Sequence, residues 1–260
     1  MEGARDESAA EDRAAQDMEG RVVLVTGGTR GLGAEISAAF AARGATVVVC
    51  GRTEPEAKPD APAFFAVDVR DPEAVAALVE QVAERYGRLD IVVNNAGGSP
   101  PADAATASPR FTEAIVKLNL LGPLAVAEAA NSVMQQQSDG GCIIHIGSQS
   151  GMRPSPGTAA YGAAKAGLIE ATRAQAEEWA PKVRVNAVTP GAIGTEEFLA
   201  NYSEEYLAKL SATIPMGRIA TPAEVASACC FLASDEASYI TGANLLVHGG
   251  GDVTPNAALV

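Results

Sequence analysis

A phenol and an ammonium group stand four residues apart in the segment YGAAK, at Tyr161 and Lys165. On a helix this spacing places both side chains on one face. Tyrosine has an unperturbed pKa of about 10, but a nearby lysine charge favours the phenolate and lowers that pKa. The pair therefore predicts acid–base chemistry at Tyr161, although the same spacing also arises by chance.

A serine hydroxyl stands near this pair in the sequence. Ser148 lies thirteen residues before Tyr161 and just after the apolar run 142–146. Open α/β sheets place their active sites at the carboxyl edge of the strands, so Ser148 could hold a substrate oxygen beside the phenol. The alternative is a polar cap at the strand end. His145 is predicted to be structural, because side-chain alternation puts it on the opposite face from Ser148.

A glycine-rich turn, TGGTRGLG at 26–33, follows the first predicted strand and leads into a helix. Glycines allow a tight turn and let the backbone approach a pyrophosphate, while the helix N-terminus offers free N–H groups. Glycine clusters also mark ordinary turns, but the strand–turn–helix order favours a dinucleotide-binding loop.

The end of the second predicted strand should read the adenosine ribose. NAD-binding proteins usually have an acid there, whereas this chain has Gly51 followed by Arg52 and Thr53. A carboxylate would repel a 2′-phosphate, while Arg52, helped by Arg30 in the glycine turn, would attract one. NADP(H) is therefore favoured and NAD(H) stays possible, since both arginines could also be solvated surface residues.

Strands and helices alternate along most of the chain. Several apolar runs are continuous, which is typical of strands covered on both faces. The predicted strands are 22–26, 46–50, 64–67, 89–93, 142–146, 183–188 and 244–247. The predicted helices are 32–40, 75–82, 110–136, 160–179, 203–211 and 222–233. This pattern predicts an α/β doubly wound Rossmann fold, with about seven parallel strands and helices on both faces in a single domain.

Two segments depart from this alternation. Residues 52–63 contain three prolines, so a loop is expected where the second crossover would normally carry a helix. Residues 1–19 are acidic and almost free of bulky apolar side chains, which predicts a disordered tail before a folded domain over 20–260.

Composition narrows the class of protein. The 260 residues are 47% hydrophobic, contain no run of 18 apolar residues, and carry a net charge of −13. These values argue against a disordered or membrane-spanning chain and against nucleic acid or anionic membranes as partners. The acidic start does not read as a secretory signal, and the four cysteines show no metal spacing. A cytoplasmic protein with reduced, buried thiols and no metal site is expected.

Taken together, these motifs resemble the short-chain dehydrogenase/reductase family from about Arg21 to Gly250. The glycine turn matches its TGxxxGxG motif, 94–97 its NNAG, and Tyr161 with Lys165 its YxxxK. Further matches are the acidic pair at Asp68, the helix segment KLNLLG, the PG motif with a later threonine, and the C-terminal segment 222–242. One departure is His248, which replaces the usual aspartate before the terminal glycines.

The resemblance implies a role for each site residue. Ser148 would bind a carbonyl oxygen, and Tyr161 would give it a proton. Lys165 would lower the tyrosine pKa and bind the nicotinamide ribose, and Asn119 would hold a water for proton resupply. The residues expected to bind the cofactor are Gly27, Thr29, Arg30, Gly31, Leu32, Gly33, Arg52, Thr53, Asp68, Val69, Asn95, Ala96, Gly97, Tyr161, Lys165, Pro190, Gly191, Ile193 and Thr195.

The implied activity is interconversion of a ketone and a secondary alcohol with NADP(H), similar to 3-oxoacyl reductases. The substrate could be a 3-oxoacyl, steroid-like or other medium-sized apolar carbonyl compound. An NAD-dependent alcohol dehydrogenase of the same family is the alternative, and a cofactor-binding regulatory protein without turnover is the alternative from another class. Segment 192–215 would form either a substrate lid or a helix pair packed on the body. A homotetramer is expected.

Overall fold

Seven parallel strands form one sheet in the computed structural model, which describes residues 17–56 and 61–251. The strand order is β3-β2-β1-β4-β5-β6-β7. The strands are β1 Val22–Thr26, β2 Thr46–Gly51, β3 Ala63–Ala66, β4 Ile91–Asn94, β5 Gly141–Ile146, β6 Val183–Pro190 and β7 Asn244–Val247. The order reverses between β1 and β4, which opens a crevice at their carboxyl ends. The predicted doubly wound fold is confirmed.

Helices cover both faces of the sheet. They are α1 Gly31–Ala41, α2 Pro72–Tyr86, α3 Pro109–Val116, α4 Gly122–Met134, α5 Ala159–Trp179, α6 Glu196–Ala200, α7 Glu204–Ala212 and α8 Pro222–Ala233, with single 3-10 turns at Gln149–Gly151 and Asp235–Ala237. One apolar core joins α1 and α8 to the sheet, and a second joins α2, α4 and α5 to the opposite face. Both faces of the sheet are therefore shielded from water, which explains why the strands are apolar at consecutive positions.

The predicted single helix 110–136 is wrong at its centre. Between α3 and α4, the chain forms a π-helical turn, Lys117–Leu121. Pro123 has no N–H to donate to the carbonyl of Asn119, four residues earlier, so the regular α-helical pattern cannot continue there. The N–H of Gly122 instead donates to Lys117 O, five residues back. This turn carries Asn119, which the family resemblance places in the active site.

The second crossover lacks a helix where the structure describes it. Residues 52–56 and 61–62 are irregular, as predicted, and 57–60 lie outside the described residues. The short helix α6 has no counterpart among the predicted helix ranges, but together with α7 it gives segment 192–215 the two helices that one alternative expected.

The folded domain begins earlier than predicted. The tail prediction for 1–16 lies outside the described residues, but 17–20 form a turn. Met18 is 1% exposed and packs in the core beside α1, and its N–H donates to Arg43 O over 3.1 Å. Asp17 forms an ion pair with Arg43. The tail boundary at 19 is therefore wrong, because one apolar side chain in an acidic segment is enough to anchor the chain.

Three further features bear on the class of protein. The four cysteines are free and buried, as predicted. Over residues 17–56 and 61–251, no helix combines the length and apolarity needed to cross a membrane. Within the same ranges, no three potential metal-binding side chains from His, Cys, Asp or Glu gather together.

We predict that Met18→Ala lowers the free energy of unfolding by about 2–5 kcal/mol, because it leaves a cavity under α1. Met152→Ala is the matched control, since Met152 is 49% exposed. Urea denaturation measures both. Equal midpoints for Met18→Ala and the unsubstituted protein would show that residue 18 is not part of the core.

Candidate active site

In the glycine turn, the backbone at Gly33 lies very close to the backbone at Gly27. Gly27 has a φ of +65°, which favours glycine. A Cβ atom at Gly33 would overlap the carbonyl oxygen of Gly27, so no side chain fits there. Helix α1 then begins at Gly31, and within the described residues the Arg30 side chain makes no capping hydrogen bond to it. The first N–H groups of α1 therefore remain available to an anion such as a pyrophosphate.

The turn borders a cleft of about 690 Å³ at the carboxyl ends of β1, β2 and β4. Fourteen of the nineteen residues predicted to bind the cofactor line it: Gly27, Thr29, Arg30, Gly31, Leu32, Gly33, Arg52, Thr53, Asp68, Val69, Asn95, Ala96, Gly97 and Thr195. The five that do not are Tyr161, Lys165, Pro190, Gly191 and Ile193. Sequence reasoning missed seven lining residues: Cys50, Glu54, Pro55, Val67, Arg70, Leu118 and, in α6, Glu197.

Asn95 ties the loop after β4 to the glycine turn. Its side-chain amide donates to Thr26 O over 3.0 Å and to Gly27 O over 3.2 Å. The hydroxyl oxygen of Thr26 accepts in return from the N–H groups of Asn95 and Ala96, both over 3.0 Å. These four hydrogen bonds hold the two cleft-lining segments as one rigid wall.

Three arginines, Arg30, Arg52 and Arg70, line the cleft. Arg70 binds the carboxylate of Asp68 through two nitrogens, Nε at 2.9 Å and Nη2 at 2.5 Å. This guanidinium is the main reason that the pKa of Asp68 is lowered, and the charge of Arg52 contributes. Arg30 forms an exposed ion pair with Glu197 at 3.5 Å. The only sequence signal for Arg70 was its position two residues after Asp68.

The hydroxyl group of Ser148 lies next to that of Tyr161, close enough to influence its pKa. Burial raises the pKa of Tyr161, and the Ser148 hydroxyl opposes that rise. Lys165 Nζ lies 5.8 Å from the centre of the tyrosine ring. The prediction of a lowered tyrosine pKa is therefore wrong. Desolvation of the phenol outweighs the opposing effect of the Ser148 hydroxyl.

Lys165 is only 2% exposed, and its Nζ donates to Ile146 O over 2.7 Å. Burial lowers the pKa of its ammonium to about 8. A Cβ atom at Gly97 would lie 3.4 Å from this Nζ and 2.7 Å from Asn119 Oδ1. The lysine therefore lies against the wall of the cleft, although it does not line the cleft itself.

Asn119 is fully buried in the π-helical turn. Its Oδ1 accepts from the N–H of Gly98 over 2.8 Å, and its Nδ2 donates to Gly98 O and Ile115 O, each over 3.0 Å. The side chain is thus occupied in holding the loop after β4. Any role in proton resupply would belong to its main-chain carbonyl, which Pro123 leaves without the usual helical donor.

The remaining predicted residues lie around the end of β6. Pro190 closes the strand, and Ile193 packs against the core near α8. Thr195 caps α6 by accepting from Phe198 N over 3.2 Å. A Cβ atom at Gly191 would lie 3.0 Å from His248 Cβ and 3.2 Å from Gln149 Oε1. His248, which departs from the family pattern, therefore lies beside the PG motif.

His145 has the structural surroundings expected of it. It is fully buried, and each ring nitrogen has a side-chain partner: Gln175 Oε1 at 3.0 Å from Nε2 and Asn94 Nδ2 at 3.2 Å from Nδ1. Burial, aided by the charge of Lys165, lowers the pKa of His145 to about 4. The imidazole is therefore neutral at neutral pH.

A second, smaller pocket of about 160 Å³ ends on Tyr161. It lies between the loop after β4 and the turn that enters α5, which are joined by a hydrogen bond from Ala102 N to Gly157 O. Its lining is uncharged: Ser99, Ala102, Ala104, Ala107, Phe111, Thr112, Gly157, Thr158, Ala159, Ala160 and Tyr161. A small apolar group would fit there without leaving a charge buried.

Comparison with known proteins agrees with this geometry. The family model described as enoyl-(acyl carrier protein) reductase matches residues 27–252. An uncharacterized oxidoreductase of Mycobacterium tuberculosis is 37% identical over 90% of this chain and 92% of its own length. The 3-oxoacyl-[acyl-carrier-protein] reductase FabG of Vibrio cholerae is 38% identical over 90% of this chain and 98% of its own.

A solved structure shares the architecture. The chain is 34% identical to a protein of Sinorhizobium meliloti described as a short-chain alcohol dehydrogenase, with a TM-score of 0.84 over 92% of this chain and all of that one. Since model, relatives and structure all cover most of the chain, the protein is an oxidoreductase and belongs to the short-chain dehydrogenase/reductase family.

Proposed function

We propose that this protein interconverts a ketone and a secondary alcohol with NADP(H), using Tyr161 as the proton donor and acceptor. One observation carries this proposal: the neighbouring hydroxyl groups of Ser148 and Tyr161 stand beside a buried lysine at the edge of a dinucleotide-sized cleft. In the first direction a ketone oxygen gains a proton, and in the reverse direction the alcohol loses one.

The two hydroxyl groups can stabilise the negative charge that carbonyl reduction creates on the substrate oxygen. A bound nicotinamide supplies or accepts the hydride. As the carbonyl carbon gains a hydride, negative charge develops on its oxygen, and donors placed there beforehand stabilise it. Ser148 holds that oxygen, and Tyr161 transfers its proton to it. Because burial raises the phenol's pKa, Tyr161 starts the reductive step protonated.

Lys165 stabilises the phenolate that the proton transfer leaves behind. Its ammonium lies 5.8 Å from the ring and is kept in place by the carbonyl of Ile146. A charge at this distance in a buried site favours the phenolate. The lysine also lies close to Gly97 on the cleft wall, a position suited to a ribose hydroxyl.

Support for NADP(H) over NAD(H) comes from the end of β2. A Cβ atom at Gly51 would meet its nearest neighbours at 3.7 Å and 3.9 Å, which are ordinary contacts. Packing therefore permits a carboxylate at this position, yet the chain has none. Arg52 lines the cleft next to Gly51, and Arg30 lines it from the glycine turn. Both can pair with a 2′-phosphate.

The pocket beside Tyr161 supports a substrate with a small apolar group next to its carbonyl. Beyond it, Phe198, Tyr202 and Tyr206 form a row of rings with centres 4.9 Å and 4.4 Å apart in segment 192–215. Tyr202 and Tyr206 remain 43% and 46% exposed, which suits a movable apolar cover. With FabG among the relatives, 3-oxoacyl thioesters are the first substrates to test.

Two alternative functions can be distinguished from this proposal by the experiments below. An NAD-dependent alcohol dehydrogenase would show the opposite cofactor preference, and a cofactor-binding regulator would show no turnover. The homotetramer and the cytoplasmic location stay predictions.

We predict that Tyr161→Phe abolishes nearly all reduction of an acetoacetyl thioester by NADPH but leaves NADPH binding within about threefold, because only the proton donor is removed. Absorbance at 340 nm measures the first and cofactor fluorescence the second. Tyr239→Phe makes the same chemical change at a fully exposed tyrosine and serves as control. Near-normal turnover by Tyr161→Phe would exclude the proposed role.

We predict that Gly51→Asp raises the KM for NADPH by about 10- to 100-fold and leaves that for NADH nearly unchanged, because the carboxylate repels the 2′-phosphate. Gly51→Asn is a control of equal size without the charge. Steady-state kinetics with both cofactors give the comparison. A native enzyme that prefers NADH would overturn the cofactor assignment.

We predict that the reduction rate falls as pH rises through about 8, because Lys165 loses its charge there. The ammonium is present below this pKa and absent above it, so the rate should be higher on the acid side. Lys165→Arg keeps a charge that does not titrate in this range, and its residual activity should lack the fall. A native profile that stays flat to pH 10 would contradict this.

A further inference from the structure

Asn94 occupies the last position of β4, where it pairs across the sheet with His145 of β5. It is 1% exposed. Its Nδ2 makes two contacts, one to Pro123 O at 3.1 Å and one to His145 Nδ1 at 3.2 Å. Its Oδ1 has no hydrogen-bond partner in the part of the chain that the structure describes. Both amide hydrogens are thus used, while the oxygen is left unpaired.

These contacts settle where the protons lie. Pro123 O can only accept a hydrogen bond, so the amide nitrogen of Asn94, and not its oxygen, must face it. The other amide hydrogen then points at His145 Nδ1, which must accept. His145 therefore carries its proton on Nε2 and donates it to Gln175 Oε1. One polar chain runs from α5 through β5 and β4 to the start of α4.

This row of hydrogen-bonded groups ends at Pro123 O, next to the turn that carries Asn119. Pro123 is the second residue after the π-helical turn Lys117–Leu121. Asn119 in turn holds both backbone groups of Gly98, four residues beyond Asn94. The end of β4 is consequently attached to this helix at two points, and the loop between them forms part of the cofactor cleft.

We propose that His145 is a positioning residue of this enzyme: as an acceptor at Nδ1, it orients Asn94, which fixes the π-helical turn and the cleft wall beside Lys165. This role rests on the proposed function, since it concerns the same reaction. His145 touches neither substrate nor cofactor, and it takes no part in proton transfer because both its nitrogens are committed within the core.

Two substitutions separate the two ends of the imidazole. In His145→Asn, the amide oxygen stands where Nδ1 stood, so an acceptor for Asn94 is kept and the bond to Gln175 is lost. In His145→Gln, the amide reaches Gln175, as Nε2 did, and the acceptor for Asn94 is lost. Each variant loses one of the two hydrogen bonds of His145. If the histidine had only a structural role, the two variants would therefore have similar kcat values.

The test is to measure kcat, NADPH affinity and thermal unfolding for both variants with NADPH and an acetoacetyl thioester. We expect His145→Asn to keep kcat within about threefold and His145→Gln to lose about 10- to 100-fold, the effect of a misplaced active-site group, at similar melting temperatures. Asn94→Asp, which sets an oxygen against Pro123 O, should lose kcat like His145→Gln.

Equal kcat values for the Asn and Gln variants, or normal kcat in Asn94→Asp, would overturn the positioning role. If either variant fails to fold, the comparison of Asn94→Asp with the native protein still decides. Tyr161→Phe is run in the same assay: if it retains turnover, the proposed function fails, and that outcome is distinct from a failure of the His145 proposal.

Discussion

A buried ammonium fixes the geometry of this site. Burying a charge is unfavourable unless it is hydrogen-bonded, and Lys165, 2% exposed, donates to one carbonyl at the end of β5. That bond sets where α5 lies along the sheet. One helical turn earlier on α5 is Tyr161, and two residues beyond Ile146 is Ser148. The phenol and the hydroxyl therefore meet because the lysine is anchored.

The cleft wall next to Lys165 depends on hydrogen bonds between backbone groups and asparagine side chains. Asn95 joins the loop after β4 to the glycine turn, and Asn119 joins the same loop to the π-helical turn. Glycine is required where these walls approach most closely, since a Cβ at Gly97 would press on Asn119 and one at Gly33 would overlap Gly27. These hydrogen bonds make the cleft walls rigid, and a rigid site lowers the entropy cost of binding.

Local patterns predicted the fold well, because strands that are covered on both faces are continuously apolar and begin and end within about two residues of the prediction. Features that depend on burial or on a locally altered hydrogen-bond pattern were not predictable in this way. The π-helical turn follows from a missing N–H at Pro123, and the raised pKa of Tyr161 follows from burial, which spacing does not reveal. Met18 was missed because its acidic neighbours dominated the pattern.

The central claim is that a carbonyl carbon next to Ser148 and Tyr161 receives a hydride. The most direct test is to reduce an acetoacetyl thioester with NADPH deuterated at the transferable position of C4, and to locate the label by mass spectrometry and NMR. The account predicts one deuterium on the carbon that bears the new hydroxyl group. Cofactor oxidation with no deuterium at that carbon would contradict it.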